Sequence, residues 1–130
     1  MVESKKIVLD TNFLLIPGQF GVDIFTELQR ICDFPYKLHI METTLKELEN
    51  IMEKSAGTAR QAGKLALELV KAKDINIISS DVGYVDRAIL DMVDETIIVA
   101  TMDAELREKL KKKGVKLITL RQKKYLIIEA

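Results

Sequence analysis

Asp10, Glu47, Asp86 and Asp103 are the residues of this chain whose type and placement carry the most chemistry. Each stands where strand character hands over to a helix, or within the first turn of that helix. In an open parallel sheet those handovers lie along one edge, so four carboxylates distant in sequence can converge on a single acidic pocket. A pocket of hard oxygen donors, with no His or Cys of matching placement, suits Mg²⁺ or Mn²⁺.

Each acid also has a purely structural explanation. Asp10 can bond the backbone of Asn12 as a turn, and Glu47 follows Thr44 by three residues in the manner of a capping box. Asp86 lies where a helix macrodipole favours negative charge, and Asp103 is a natural N-cap for a helix through Leu106. Capping, however, has no reason to place an acid at the same sheet edge in four separate units. Glu47 also lies about 40° around its helix from Ile51, at the border of the buried stripe. A carboxylate there costs desolvation unless a cation or donor compensates.

The elements that must hold these residues alternate. Lys6 to Leu9 reads as a strand broken by Asp10-Thr11-Asn12, and a short apolar run, Phe13 to Ile16, precedes Pro17-Gly18. Ile24, Phe25, Leu28, Ile31 and Cys32 form a helical stripe. Lys37 to Met41 is a second strand, Thr44 to about Lys54 a helix, and roughly Thr58 to Lys73 another with small residues on its stripe. Ile75 to Ser79 is a third strand, followed by a helix carrying Val85, Ala88, Ile89, Met92 and Val93. Thr96 to Thr101 is a continuous apolar strand of the kind buried on both faces of a parallel sheet. A helix with Leu106 and Leu110 ends at Lys111-Lys112-Lys113-Gly114, Val115 to Leu120 is the fifth strand, and Tyr125 to Ile128 is a short candidate sixth at the edge. The expected fold is a three-layer α/β sandwich with a mostly parallel sheet of about five strands.

A length of 130 residues, 48% apolar, predicts one domain over 1–130 with a sizeable core. Twenty basic and twenty acidic residues cancel, so net charge points to no polyanion. The distribution is uneven: Asp74 to Glu105 holds eight acids and one base, and Arg107 to Lys124 holds nine bases and one acid. This predicts either a cation-binding region beside a phosphate-attracting one, or merely a solvated helix face and a basic tail. Cys32 is alone, which excludes an internal disulfide and a zinc cluster and suits a reducing cytoplasm. No run of apolar residues is long enough for a membrane span and no signal-peptide pattern opens the chain, so a cytoplasmic protein without membrane contact is expected.

Other chemistries find no support. Glycine-rich nucleotide loops are absent, and His39 sits mid-strand between apolar neighbours without a nucleophile partner. A haloacid-dehalogenase start would need an acid at position 12, where Asn12 stands. A receiver-like signalling domain would need paired acids before the end of the first strand and a late strand-end lysine, neither of which is evident.

Ile7-Val8-Leu9-Asp10-Thr11-Asn12-Phe13-Leu14-Leu15 resembles the first motif of PIN-domain nucleases. Glu47 within Leu45-Lys46-Glu47-Leu48-Glu49 resembles the second, Tyr84-Val85-Asp86-Arg87-Ala88-Ile89 the third, and Val99 to Arg107, around Asp103, the fourth. The resemblance runs in order from about residue 6 to 128. Leu120-Arg121-Gln122-Lys123-Lys124-Tyr125-Leu126 narrows it toward archaeal PIN proteins similar to the eukaryotic small-subunit rRNA-processing nucleases, although archaeal members resemble the toxins of toxin-antitoxin pairs almost as well. The zinc ribbon of some rRNA-processing members is missing, and so is any antitoxin-like segment.

The resemblance implies that Asp10, Glu47, Asp86 and Asp103 hold one or two Mg²⁺ or Mn²⁺ ions that activate water for phosphodiester hydrolysis. Asp10 and Asp103 are the rigid ligands, while Glu47 and Asp86 complete the cage or act through water. Asn12 and Thr101 give support, Glu49 and Asp91 stay outside, and Glu105 is a candidate to share the role of Asp103. The activity implied is an endoribonuclease acting on single-stranded or structured RNA, in rRNA processing or as a toxin. Arg107, Arg121, Lys123 and Lys124 are its expected contacts to the RNA backbone, the last three read as having no paired acid nearby. The implied partners are RNA, with a homodimer, an antitoxin or a ribosome-assembly factor as alternatives. An RNA-binding or assembly module that keeps the fold and barely cuts is the reading from another class.

Overall fold

The computed structural model describes residues 4–80 and 84–129. The order is β1 (Lys5–Leu9), α1 (Thr11–Leu14), α2 (Ile16–Phe20), α3 (Ile24–Ile31), β2 (Tyr36–Met41), α4 (Glu42–Lys54) and α5 (Gly57–Ala72), then β3 (Ile75–Ile78), α6 (Val85–Met92), β4 (Ile97–Ala100), α7 (Ala104–Lys112), β5 (Lys116–Arg121) and β6 (Tyr125–Glu129). The six strands lie in the order β3-β2-β1-β4-β5-β6. The first five are parallel, and β6 returns antiparallel along β5, making the short edge candidate a full sixth strand.

Alternation along β1 explains why the sheet is buried on both sides. Ile7 and Leu9 face a core shared with Phe13, Leu14, Ile24, Leu28, Ile40 and Leu48, beneath α1 to α5. Val8 faces the other way, with Met41, Val99 and Leu117, beneath α6 and α7 through Val85, Ile89, Leu106 and Leu110. Three layers result. No helix among the described residues is long and apolar enough to cross a membrane.

Two stretches depart from the sequence reading. The apolar run from Phe13 to Ile16, to which the sequence assigned no element, spans the end of α1, the junction at Leu15 and the start of α2. Pro17 sits at the start of α2, where the missing N–H has no intrahelical partner to lose, and the helix closes on Gly21 at φ 68°. The fourth helix begins at Glu42, not Thr44, with Met41 as its N-cap and no side-chain cap bond. Thr44 is therefore inside the helix. At Gly18 a Cβ would lie 2.5 Å from Ala62 Cα, so the absence of a side chain lets α2 pack onto the small-residue stripe of α5.

Candidate active site

Strand order creates the site. The chain moves outward from β1 through β2 to β3, then returns to the opposite side of β1 as β4, so connections leave these two neighbours toward opposite faces. The crevice at their carboxyl ends is the switch point of the sheet. Asp10 follows β1 there, its N–H donating to the Ala100 carbonyl at 2.9 Å, and Thr101 follows β4.

Asp10 is 7% exposed and fully engaged. Its Oδ1 accepts the Thr11 N–H at 2.9 Å as the N-cap of α1, and its Oδ2 accepts the Thr101 hydroxyl at 2.7 Å. The bond to the next residue takes the place of the expected turn to Asn12. Burial raises the Asp10 pKa above its ordinary value, and the charges of Glu47 and Asp103 push the same way. The bonds from Thr101 and Thr11 oppose this without cancelling it. A buried carboxylate repelled by two nearby acids has its charged form disfavoured unless a cation or a proton compensates it.

Asp103 caps α7, with Oδ1 accepting the N–H of Glu105 at 2.9 Å and of Leu106 at 3.1 Å. Its own N–H donates to Thr101 Oγ1 at 3.1 Å, so one hydroxyl ties together the two acids that end β1 and β4. Asn12 strengthens the same junction, its Oδ1 accepting the Met102 N–H at 3.1 Å. Capping and lining are thus compatible roles for Asp103, not rival ones.

Glu47 lies in the second turn of α4 and not in the first, because the helix starts two residues earlier than expected. Neither helix end nor capping box accounts for it. The Thr11 hydroxyl donates to its Oε1 at 2.5 Å, and the buried Thr44 hydroxyl lies 3.2 Å from Thr11 Oγ1. Thr11 therefore positions Glu47 across the cleft, a role the sequence reading did not give it. The signal lay in a threonine between two candidate site residues. Asp86, exposed in the first turn of α6, has no hydrogen bond or ion pair among the described residues.

All four acids line one open cleft of about 380 Å³, together with Thr11, Asn12, Leu15, Ile51 and Val85. Among the described residues, no three carboxylates are drawn tightly enough to form a closed metal cage. An open, all-oxygen cleft nevertheless fits Mg²⁺ and Mn²⁺, since Mg²⁺ retains several waters and takes only one or two carboxylates. Glu49 lines a different hollow, between α4, α5 and β3. Asp91 pairs with Arg87 at 3.2 Å, and Glu105 points to Lys109 at 3.2 Å and not into the cleft.

The basic residues are less free than their sequence suggests. Arg121 lies 3.3 Å from Glu129 Oε1, which corrects the expectation that it has no acid nearby, and Arg107 lies 3.8 Å from Oε2 of the same carboxylate. The strand pairing of β6 on β5 brings Glu129 back to them. Lys123 stands over the Phe20 ring, 5.6 Å from its centroid, and Lys124 closes the β5–β6 turn, its N–H donating to the Arg121 carbonyl at 3.0 Å. His39 has no hydrogen-bond partner at either ring nitrogen among the described residues, and burial with Lys6 and Lys37 nearby lowers its pKa. Cys32, at the C-cap of α3, has its thiol pushed up to about 11, mainly by burial, and is inert.

Comparison with known proteins adds to this geometry. A family model described as a PIN like domain matches residues 7–123. The chain is 32% identical over 122 residues to Ribonuclease VapC4 of Methanocaldococcus jannaschii, spanning 92% of this chain and 93% of that protein. Among solved structures, the PIN domain endonuclease Utp24 matches with a TM-score of 0.76 at 22% identity, over 95% of this chain and 90% of that one. A domain of a functionally unknown protein from Methanocaldococcus jannaschii matches with a TM-score of 0.60 at 21% identity, over 91% and 92%. At those identities the two structures bear on fold alone.

Proposed function

This chain belongs to the PIN-like domain family, and from that premise we propose that it is a Mg²⁺- or Mn²⁺-dependent endoribonuclease hydrolysing RNA phosphodiester bonds. The observation that carries the reading is the cleft itself: a buried Asp10, tied to Thr101, with Glu47, Asp86 and Asp103 facing the same space. The name of the ribonuclease that shares 32% of its residues with this chain supports RNA as the substrate.

Asp10, Glu47, Asp86 and Asp103 would hold the ion. When bound, a divalent ion supplies a low-pKa water and neutralises charge on the phosphate. Thr101 fixes the carboxyl plane of Asp10, and Thr11 fixes that of Glu47, so both ligands are oriented before substrate arrives. Asp86 has no competing bond among the described residues, which leaves it free to take the proton of the attacking water. Water adds to phosphorus, the bond to the leaving oxygen breaks, and the proton is returned to that oxygen. Among the described residues the cleft is lined by no imidazole, thiol or amine, and the Thr11 hydroxyl is committed to Glu47, which favours water as the attacking group.

The test is a circular single-stranded RNA incubated with Mn²⁺ or with EDTA. Linearisation only with Mn²⁺, lost in Asp10→Asn, is the expected result. RNA binding without cleavage in any divalent metal would instead favour the non-cleaving assembly module. The setting, rRNA processing or a toxin held by an antitoxin, is separated by site-specific cleavage of precursor small-subunit rRNA against growth arrest on induced expression.

A further inference from the structure

Three cations converge on one carboxylate beside α7. Lys111 Nζ lies 3.4 Å and Arg107 3.8 Å from Glu129 Oε2, and Arg121 lies 3.3 Å from Oε1. The balance is two positive charges in excess. The geometry is also incomplete: among the described residues the buried Arg107 Nε has no hydrogen-bond partner, although its guanidinium lies 3.8 Å from Glu129. One negative charge cannot neutralise three positive ones, so cationic capacity is left over at this cluster.

The layering of this cluster matters. Glu129 is 15% exposed, whereas the side chains of Arg107, Lys111 and Arg121 are 29%, 47% and 57% exposed. The acid forms a floor, and the cations open to solvent above it. Arg107 and Lys111 are successive turns of one helix stripe whose N-cap is Asp103, a member of the cleft. Four residues at 1.5 Å each place Arg107 about 6 Å along the axis from Asp103.

We infer that Arg107, Lys111 and Arg121 form a subsite for a backbone phosphate of the RNA strand adjoining the cleft, preassembled and partly neutralised by Glu129. The inference rests on the RNA-cleaving reading above and names where that substrate's flanking backbone is held. A phosphodiester presents oxygens in more than one plane, and guanidinium groups match such oxygens through paired N–H donors. Glu129 keeps the three long side chains together before the strand binds, and it competes with the phosphate for them. Lys111 is new to the set of RNA contacts, and Glu129 is the residue that tunes them.

The test measures binding of a fluorescent single-stranded RNA in EDTA across a salt series, for the wild type, Glu129→Gln and Lys111→Gln, with cleavage in Mn²⁺ assayed separately. Each phosphate neutralised on a single strand contributes roughly −0.7 to the slope of log affinity against log salt. Glu129→Gln frees one cation, so its slope is expected to steepen by about 0.7 with tighter binding at low salt, and Lys111→Gln is expected to flatten by about 0.7. If Glu129→Gln fails to fold, Lys111→Gln decides alone. Wild-type slopes in the folded variants, or no RNA binding at all, would overturn the subsite. Shifted slopes without cleavage would overturn the nuclease reading and leave the subsite standing, and cleavage with unshifted slopes would do the reverse.

Discussion

Thr101→Val preserves side-chain volume and the end of β4 while deleting one hydroxyl that serves both halves of the site. That hydroxyl donates to Asp10 at 2.7 Å and accepts from Asp103 N–H at 3.1 Å, and the residue is completely buried. A hydrogen bond to a charged group contributes about 1.5–3 kcal/mol, which is the expected loss of stability. The larger consequence falls on metal binding. Burial already raises the pKa of Asp10, and Thr101 is the strongest influence opposing it, so without the hydroxyl protons compete better for the carboxylate. Removing such a supporting partner lowers metal affinity by roughly 10–100-fold. The assay is calorimetric Mn²⁺ titration from pH 6 to 8, paired with half-saturation of RNA cleavage. The deficit should grow as pH falls, and Thr101→Ser, which retains the hydroxyl, should recover most of the affinity. Wild-type Mn²⁺ affinity in Thr101→Val throughout this range would refute the reasoning.

Asp10→Asn should abolish cleavage yet stabilise the metal-free fold. The folded pKa of Asp10 is raised from the ordinary 3.8. Its contribution to stability is therefore present at low pH and lost as pH rises through the folded pKa. The gain in Tm from Asp10→Asn should accordingly increase with pH in EDTA, and a pH-independent difference would contradict the assignment. Glu47→Gln should lose cleavage at a stability cost of about 1 kcal/mol, as the bond from Thr11 becomes neutral; retained activity with normal melting would remove Glu47 from the site. Gln122 and Lys123 occupy the left-handed region at φ 53° and 55°, so Gln122→Asn with Lys123→Gly should raise stability by about 1–2 kcal/mol, read by urea denaturation.

The sequence carried the layered fold because its patterns were unambiguous: an apolar run closing β1, an unbroken apolar β4, and a stripe along α3. It also carried the cleft, since carboxylates at the ends of parallel strands share an edge wherever the strands are ordered this way. What it hid was set by tertiary contact. Nothing local marks α1 and α2 as helical, because Pro17 and Gly18 look like breakers until the helix start is known. Met41 caps α4 without a side-chain bond, so the boundary that separates Glu47 from the capping box leaves no signature. Glu129 reaches Arg107 and Lys111 only through the β5–β6 pairing, and no spacing along the chain announces that three bases share it.

The bond between Thr101 and Asp10 closes a gap of 91 residues. During synthesis, β1 leaves the ribosome first but gains its β4 neighbour only after those residues follow, roughly 5–20 s later at 5–20 residues per second. Until then Asp10 lacks both the strand that completes its burial and the hydroxyl that orients it. A centre assembled this way lacks a strand and a positioning hydroxyl for as long as synthesis has not passed Thr101. A product truncated before β4 would carry the first acid motif without the strand and hydroxyl that hold it in place.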